Sequence, residues 1–70
     1  MAKFNPYMTL GQIMNNPEMK AVVLNNIPDV ESDARYSMAR MYSLNDIKYE
    51  VDSALRAKIE AIITDLTALG

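Results

Sequence analysis

The same helix-start signal occurs twice in the chain, as Met8-Thr9-Leu10-Gly11-Gln12-Ile13 and, 34 positions later, as Tyr42-Ser43-Leu44-Asn45-Asp46-Ile47. In each copy a hydroxyl side chain can cap the helix N-terminus, and a polar side chain three residues later can bond back to the cap residue. Apolar residues before and after can close a hydrophobic staple. Asp46 is shorter than the Glu or Gln that usually completes such a box. The two copies predict short helices over 10–15 and 44–50.

A second helix is predicted over 17–25. Asn16-Pro17-Glu18 is typical of a helix opening, with a cap, a first-turn proline and a first-turn acid. Pro28 prevents the helix from continuing far beyond Asn25. Before the first start signal, Pro6 disfavours helix at the preceding residue, so residues 1–8 are expected to be an extended N-terminal segment.

A third helix is predicted over 32–41. Its start is open at this point, because Asp29, Ser32 and Asp33 are all plausible caps. Helical spacing predicts an inner face, with Arg35, Ser37 and Arg40 on the outside. The residues of that inner face are Ala34, Met38, Met41 and Tyr42.

The last helix, predicted over 53–68, has the clearest period in the chain. Its apolar stripe consists of Leu55, Ile59, Ile62, Ile63 and Leu66, and Leu69 is a candidate to extend it. A helix of that length with one apolar face must bury the face against a partner. No run of strand length alternates apolar and polar residues, and no Asn-Gly or Asp-Gly turn is present. The sequence therefore predicts a single all-α domain over 1–70, a compact bundle of about five short helices.

Composition excludes several classes of site. The 70 residues contain no Cys and no His, so neither a disulfide, a thiolate zinc site nor an imidazole base can form. The seven Lys and Arg residues are scattered among nine acids, which argues against a nucleic-acid surface. Acidic pairs such as Asp29 with Glu31 lie at a predicted helix start, where the macrodipole explains them, and no calcium loop surrounds them. We expect no catalytic residue, no metal and no cofactor.

Localisation is less constrained than chemistry. No apolar segment approaches the length of a signal peptide or of a membrane span, so a soluble chain without membrane contact is expected. A chain without Cys is compatible with either redox environment, and the compartment and oligomeric state stay open.

Three features could carry a function. A possible binding surface consists of Tyr36, Tyr49 and Arg40, which lie outside the predicted inner faces. The two tyrosines could stack against sugar rings. Six Met residues could form an adaptable surface, although Met8, Met19, Met38 and Met41 fall on predicted core positions or staples, where filling gaps explains them better.

A third feature lies before the last helix. Asp52-Ser53-Ala54-Leu55 resembles the Asp-Ser-Leu motif of acyl carrier proteins. Its serine lies near the C-terminus, whereas carriers have two further helices after theirs. Asp52 and Ser53 as alternative helix caps are the preferred interpretation.

A family resemblance covers nearly the whole chain. It rests on Thr9–Ile13, the helix opening Asn16-Pro17-Glu18 with the residues up to Leu24, Ile27-Pro28, Met38-Ala39, Tyr42-Ser43-Leu44 and Ile59–Leu66. In these segments the chain resembles a small helical module found at the C-terminal ends of bacterial glycoside hydrolases and related carbohydrate-active enzymes. The resemblance implies a non-catalytic accessory domain that works with a larger catalytic domain or protein partner.

Two main functional hypotheses follow. The first is a non-catalytic accessory or protein-interaction module associated with a carbohydrate-active enzyme. The second is a carbohydrate-binding module that uses the exposed tyrosines. A carrier protein modified at Ser53 is a remote third alternative.

Overall fold

The computed structural model describes residues 4–69, which form five α-helices and one short 3-10 turn. The helices are α1 (Leu10–Met14), α2 (Pro17–Asn26), α3 (Tyr36–Ala39), α4 (Leu44–Ile47) and α5 (Ser53–Leu69), and the 3-10 turn is Val30–Ser32. Within this part of the chain there is no β-strand, only an isolated antiparallel bridge between Thr9 and Ser43. The predicted all-α class is confirmed.

The two start signals cap their helices to different extents. At α1, Thr9 Oγ1 accepts a hydrogen bond from the Gln12 backbone N–H (3.2 Å), and Gln12 Oε1 accepts one from the Thr9 N–H (2.9 Å). At α4, Ser43 Oγ accepts from the Asp46 N–H (3.3 Å), but the Asp46 carboxylate accepts only from the Ser43 hydroxyl (3.0 Å). The shorter Asp side chain therefore leaves the second box half closed, as predicted.

The two longer helices, α2 and α5, also begin with a side-chain cap. Asn16 Oδ1 accepts hydrogen bonds from the N–H groups of Glu18 (3.0 Å) and Met19 (3.2 Å). Before α5, Asp52 Oδ1 accepts from the Leu55 N–H at 2.9 Å. Asp52 is thus the cap, and Ser53 is the exposed first residue of the helix.

The predicted helix over 32–41 is interrupted. Asp33 has an extended backbone (φ −70°, ψ 133°), and its carboxylate accepts a hydrogen bond from the Arg35 backbone N–H at 2.8 Å. This local bond competes with a helical conformation, because the Asp side chain replaces the helical acceptor. The segment therefore forms the 3-10 turn and, after a break, the single helical turn of α3.

The predicted inner face of this segment is also wrong. Ala34, Met38, Met41 and Tyr42 are all exposed, whereas Tyr36 and Ala39 are half-buried and pack against the core. The break at Asp33 changes the phase of the helix, so a different set of side chains faces inward.

The N-terminal segment makes a turn. The Tyr7 N–H donates to Asn5 Oδ1 (2.9 Å), and the Met8 N–H donates to the Asn5 carbonyl (3.2 Å). The extended conformation expected for residues 1–8 is thus absent from residues 5–8, and residues 1–3 lie outside the described part.

The core forms where α2 packs on α1 and on α5. Its buried side chains are Leu10, Ile13, Met14, Met19, Val23, Leu44, Ile59, Ile62 and Leu66. The predicted stripe of α5 supplies three of them and leaves Leu55 and Ile63 half-buried and Leu69 exposed. In contrast, α3 packs mainly on the 3-10 turn, so the middle of the chain covers the core only loosely.

The start of α1 is anchored through the backbone to the segment between α3 and α4. The Leu10 N–H donates to the Tyr42 carbonyl and the Gly11 N–H donates to the Arg40 carbonyl, both at 2.9 Å. Helix N-termini carry unpaired N–H groups that need acceptors, and these two carbonyls supply them. The two start signals are therefore neighbours in space.

Candidate functional site

An open apolar groove of about 780 Å³ lies where the middle of the chain covers the core loosely. It is lined by residues of the 3-10 turn and α3, of α4 and the turn after it, and of α2 and α5. Its apolar and aromatic lining residues include Val23, Ile27, Val30, Tyr36, Met38, Ala39, Tyr42, Ile47, Tyr49, Val51, Leu55, Ile59 and Ile62. We call this the apolar groove. Its volume is within the usual range of ligand pockets, about 300–1,000 Å³.

Large apolar side chains at the groove are unusually accessible. Met38 is 63% exposed and Tyr49 is 70% exposed, and Tyr42 is also exposed. Exposed apolar side chains that are grouped at one groove are typical of an interaction surface, whereas single ones occur on most proteins. The groove therefore presents Met38, Tyr42 and Tyr49 to solvent within a mainly apolar lining.

The structure brings two of the three predicted site residues together. Tyr36 and Tyr49 both line the apolar groove, Tyr36 half-buried and Tyr49 exposed, while Arg40 does not line it. The Arg40 side chain is exposed, and its backbone carbonyl binds α1. The Lys48 ammonium lies 5.4 Å from the centre of the Tyr49 ring, within range of a cation–π interaction.

The sequence prediction assigned the methionines incorrectly in part. Met19 is buried and Met8 is half-buried, in agreement with filling of the core. Met38 and Met41 are 63% and 61% exposed, so they fill no core space. Met38 lines the groove, where its flexible thioether side chain can adapt to the shape of a bound surface.

An ion pair lies in the groove lining. Arg35 Nη2 is 2.9 Å from Asp33 Oδ2, and Arg35 Nε donates to Asp33 Oδ1 at 3.1 Å. The guanidinium and the backbone N–H of Arg35 lower the pKa of Asp33 from its ordinary value of 3.8 to about 2. Asp33 in turn raises the pKa of Arg35. The two charges compensate each other and add no net charge to the groove.

Two further acids line the groove without such compensation. Asp46 on α4 and Glu50 in the following turn are both exposed, and among residues 4–69 the only ion pair is that of Asp33 with Arg35. We call Asp46 and Glu50 the acidic edge. The cations nearest in sequence, Lys48 and Arg56, do not line the groove. The Lys48 ammonium lies over the Tyr49 ring, and Arg56 Nε donates to the Lys48 carbonyl at 3.0 Å.

The groove offers binding chemistry and little catalytic chemistry. None of the charged or polar side chains among residues 4–69 is buried. Reactive acids and bases usually owe their shifted pKa values to burial, and the shift at Asp33 comes from an exposed ion pair. In the same part of the chain, no three acidic side chains lie close enough together to hold a metal ion. Nor do its helices include one that is long and apolar enough to cross a membrane.

Sequence reasoning missed the groove as a whole. Helical spacing predicts that Met38 and Tyr42 face the core, but both line the groove. The signal that could have corrected this is Asp33. An Asp side chain can accept a hydrogen bond from the backbone N–H two residues later, and this local turn competes with a helix.

Comparisons of the chain with protein-family models, with curated proteins and with solved structures give no match. The resemblance to accessory modules of carbohydrate-active enzymes therefore rests on the residues quoted for it.

Proposed function

We propose that the chain is a non-catalytic helical interaction module that docks a larger protein through the apolar groove. The observation that carries this proposal is the apolar lining of the groove, in which Met38, Tyr42 and Tyr49 are exposed, because apolar side chains grouped at a groove are typical of interaction sites. The resemblance to glycoside hydrolase accessory modules supplies the class of partner, a carbohydrate-active enzyme. Because no ionisable side chain among residues 4–69 is buried, the described part of the chain favours a role in binding over one in catalysis.

Site-specific photo-crosslinking tests this function with a matched control. A benzophenone amino acid replaces Tyr49, which lines the groove, or Tyr7, which is also exposed but lies outside the groove lining. In extracts of cells that express the chain, we expect a carbohydrate-active enzyme to crosslink to position 49 and not to position 7. Identical products from both positions, or none specific to position 49, would contradict the proposal.

A second candidate function is carbohydrate binding. It is favoured by the presence of three tyrosines, Tyr36, Tyr42 and Tyr49, in the lining of one groove, where they could stack on sugar rings. Titration with oligosaccharides, followed through the NMR signals of these rings, tests it. Saturable shifts that are lost in Tyr49→Ala would support sugar binding, and a spectrum unchanged at millimolar sugar would exclude it.

A further inference from the structure

We infer that the apolar groove selects an amphipathic helix with basic residues along one edge of its apolar face. This inference rests on the proposed docking function and adds the chemistry of the docked segment. It follows from the distribution of charge around the groove, from the openness of the groove and from the residues at its rim.

The charge pattern favours a basic partner. Four ionisable Asp, Glu or Arg side chains line the groove, and Asp33 and Arg35 compensate each other at 2.9 Å. The acidic edge, Asp46 and Glu50, leaves the lining net negative. Cationic side chains of a partner would gain favourable interactions there, and acidic ones would be repelled.

The same pattern disfavours a second copy of the chain as the occupant. In a symmetric dimer both copies contribute the same surface, so two net negative linings would be brought together. The chain itself carries a net charge of −2, which adds to the repulsion. A basic segment from another protein meets neither penalty.

The shape of the groove favours a helix over a small ligand. Pockets for small ligands usually enclose most of the ligand surface, whereas Met38 and Tyr49 at this rim are more than half exposed. Open apolar grooves with flexible methionine side chains are suited to amphipathic helices, whose apolar residues recur at i, i+3, i+4 and i+7. The acidic edge then favours a helix whose polar residues next to that edge are basic.

Three designed peptides test this inference. Each has about 18 residues, enough to form a helix alone, and all share one Leu face but carry Lys, Gln or Glu along the flank. Fluorescence anisotropy at low ionic strength measures each Kd, and the amide NMR signals of Ala39, Ile47 and Leu55 locate the binding. We expect binding in the groove, with the Lys peptide at least about tenfold tighter than the Glu peptide.

Two variants of the chain give the matched comparison. In the double variant Asp46→Asn with Glu50→Gln, we expect the ratio of the two Kd values to fall to about twofold or less, because the acidic edge is neutral. The amide oxygen introduced at position 46 can still accept the Ser43 hydroxyl, so α4 keeps its start, which circular dichroism checks. Glu60→Gln neutralises an exposed acid outside the groove and should leave the ratio unchanged.

Each result has one meaning. Equal affinities of the three peptides, or a preference for the Glu peptide, would overturn the inference on charge and leave the docking function intact. Failure of all three peptides to bind in the groove would overturn the docking function itself. A stable dimer of the free chain in sedimentation, with its groove signals protected, would identify a second copy as the occupant and overturn the inference.

Discussion

Thr9 and Ser43, the caps of the two short helices, lie opposite each other in an antiparallel bridge. The Leu10 N–H next to it donates to the Tyr42 carbonyl at 2.9 Å. Two helix starts that are 34 positions apart in sequence are thus joined by backbone hydrogen bonds. This contact holds the short helices together without a disulfide or a metal.

Removing the two caps should cost unequal amounts of stability. We expect Thr9→Ala to lower the free energy of unfolding by about 1 kcal/mol or somewhat more, and Ser43→Ala by less, because only Thr9 has a complete capping box. Because both caps support one bridge, the double variant should lose less than the sum of the two. Urea denaturation measures all three. Thr9→Ser, which keeps the hydroxyl, is the control and should unfold like the parent.

Gly11→Ala should destabilise the protein although alanine favours helices. A Cβ at this position would lie 3.0 Å from the Arg40 carbonyl oxygen, a backbone atom fixed by its bond to the Gly11 N–H. The steric cost should exceed the helix-propensity gain and leave a net loss of about 1 kcal/mol. Lys58→Ala, at an exposed position of α5, should change stability by less than about 0.5 kcal/mol. A higher melting temperature for Gly11→Ala would show that α1 and the Arg40 carbonyl are not in close contact.

Two leucines of α5 separated by one turn should respond very differently to truncation. Leu66 is fully buried and Leu69 is exposed. Leu66→Ala should lower the free energy of unfolding by about 3 kcal/mol, because it leaves a cavity between α5 and α2. Leu69→Ala should change it by less than about 0.5 kcal/mol. Similar losses at both positions in thermal denaturation would mean that the stripe of α5 faces the core differently.

The methionines offer a second test of the fold. Met38→Gln should leave the stability within about 0.5 kcal/mol of the parent, since that side chain is mostly in water. Met19→Gln should destabilise by about 2 kcal/mol or more, because it buries an amide without a partner. Calorimetry of the two variants distinguishes them. A large loss of stability in Met38→Gln would mean that Met38 is buried in the core, as helical spacing alone predicts.

The ion pair of Asp33 and Arg35 predicts a defined pH dependence. The pKa of Asp33 is lowered in the folded protein, so the folded state binds fewer protons than the unfolded state between the two values. The stabilisation from this group is therefore present above about pH 4 and is lost as the pH falls towards 2. NMR titration of the Asp33 carboxyl carbon should give a pKa near 2.

Arg35→Gln serves as the control for this titration. Without the guanidinium the pKa of Asp33 should rise towards 3.8, although the backbone N–H bond at position 35 keeps it slightly lower. An ordinary pKa for Asp33 in the parent protein would show that the ion pair does not form in solution.

The prediction from sequence succeeded for α5 and failed for α3, and the two helices differ in the strength of their apolar period. The stripe of α5 repeats along a helix of 17 residues, so its period outweighs any single local interaction. The prediction holds at Ile59, Ile62 and Leu66, and only Leu69 is exposed. The segment over 32–41 has a weaker period, and one hydrogen bond from the Arg35 N–H to the Asp33 side chain is enough to interrupt it. That interruption exposes Met38 and Tyr42 and gives the groove its rim, so the error in the fold and the missed site have one cause.

The sequence by itself determined the starts of α1, α2, α4 and α5 and the buried stripe of α5, because a cap acts on backbone groups two or three residues away and a helical stripe repeats every three or four. Only the tertiary structure decided that Thr9 meets Ser43, that Tyr36 and Tyr49 line one groove, and that Asp46 and Glu50 give it an acidic edge. These relationships depend on how loosely α3 and α4 cover α5. Such packing is set by contacts between distant segments, and no local pattern encodes it.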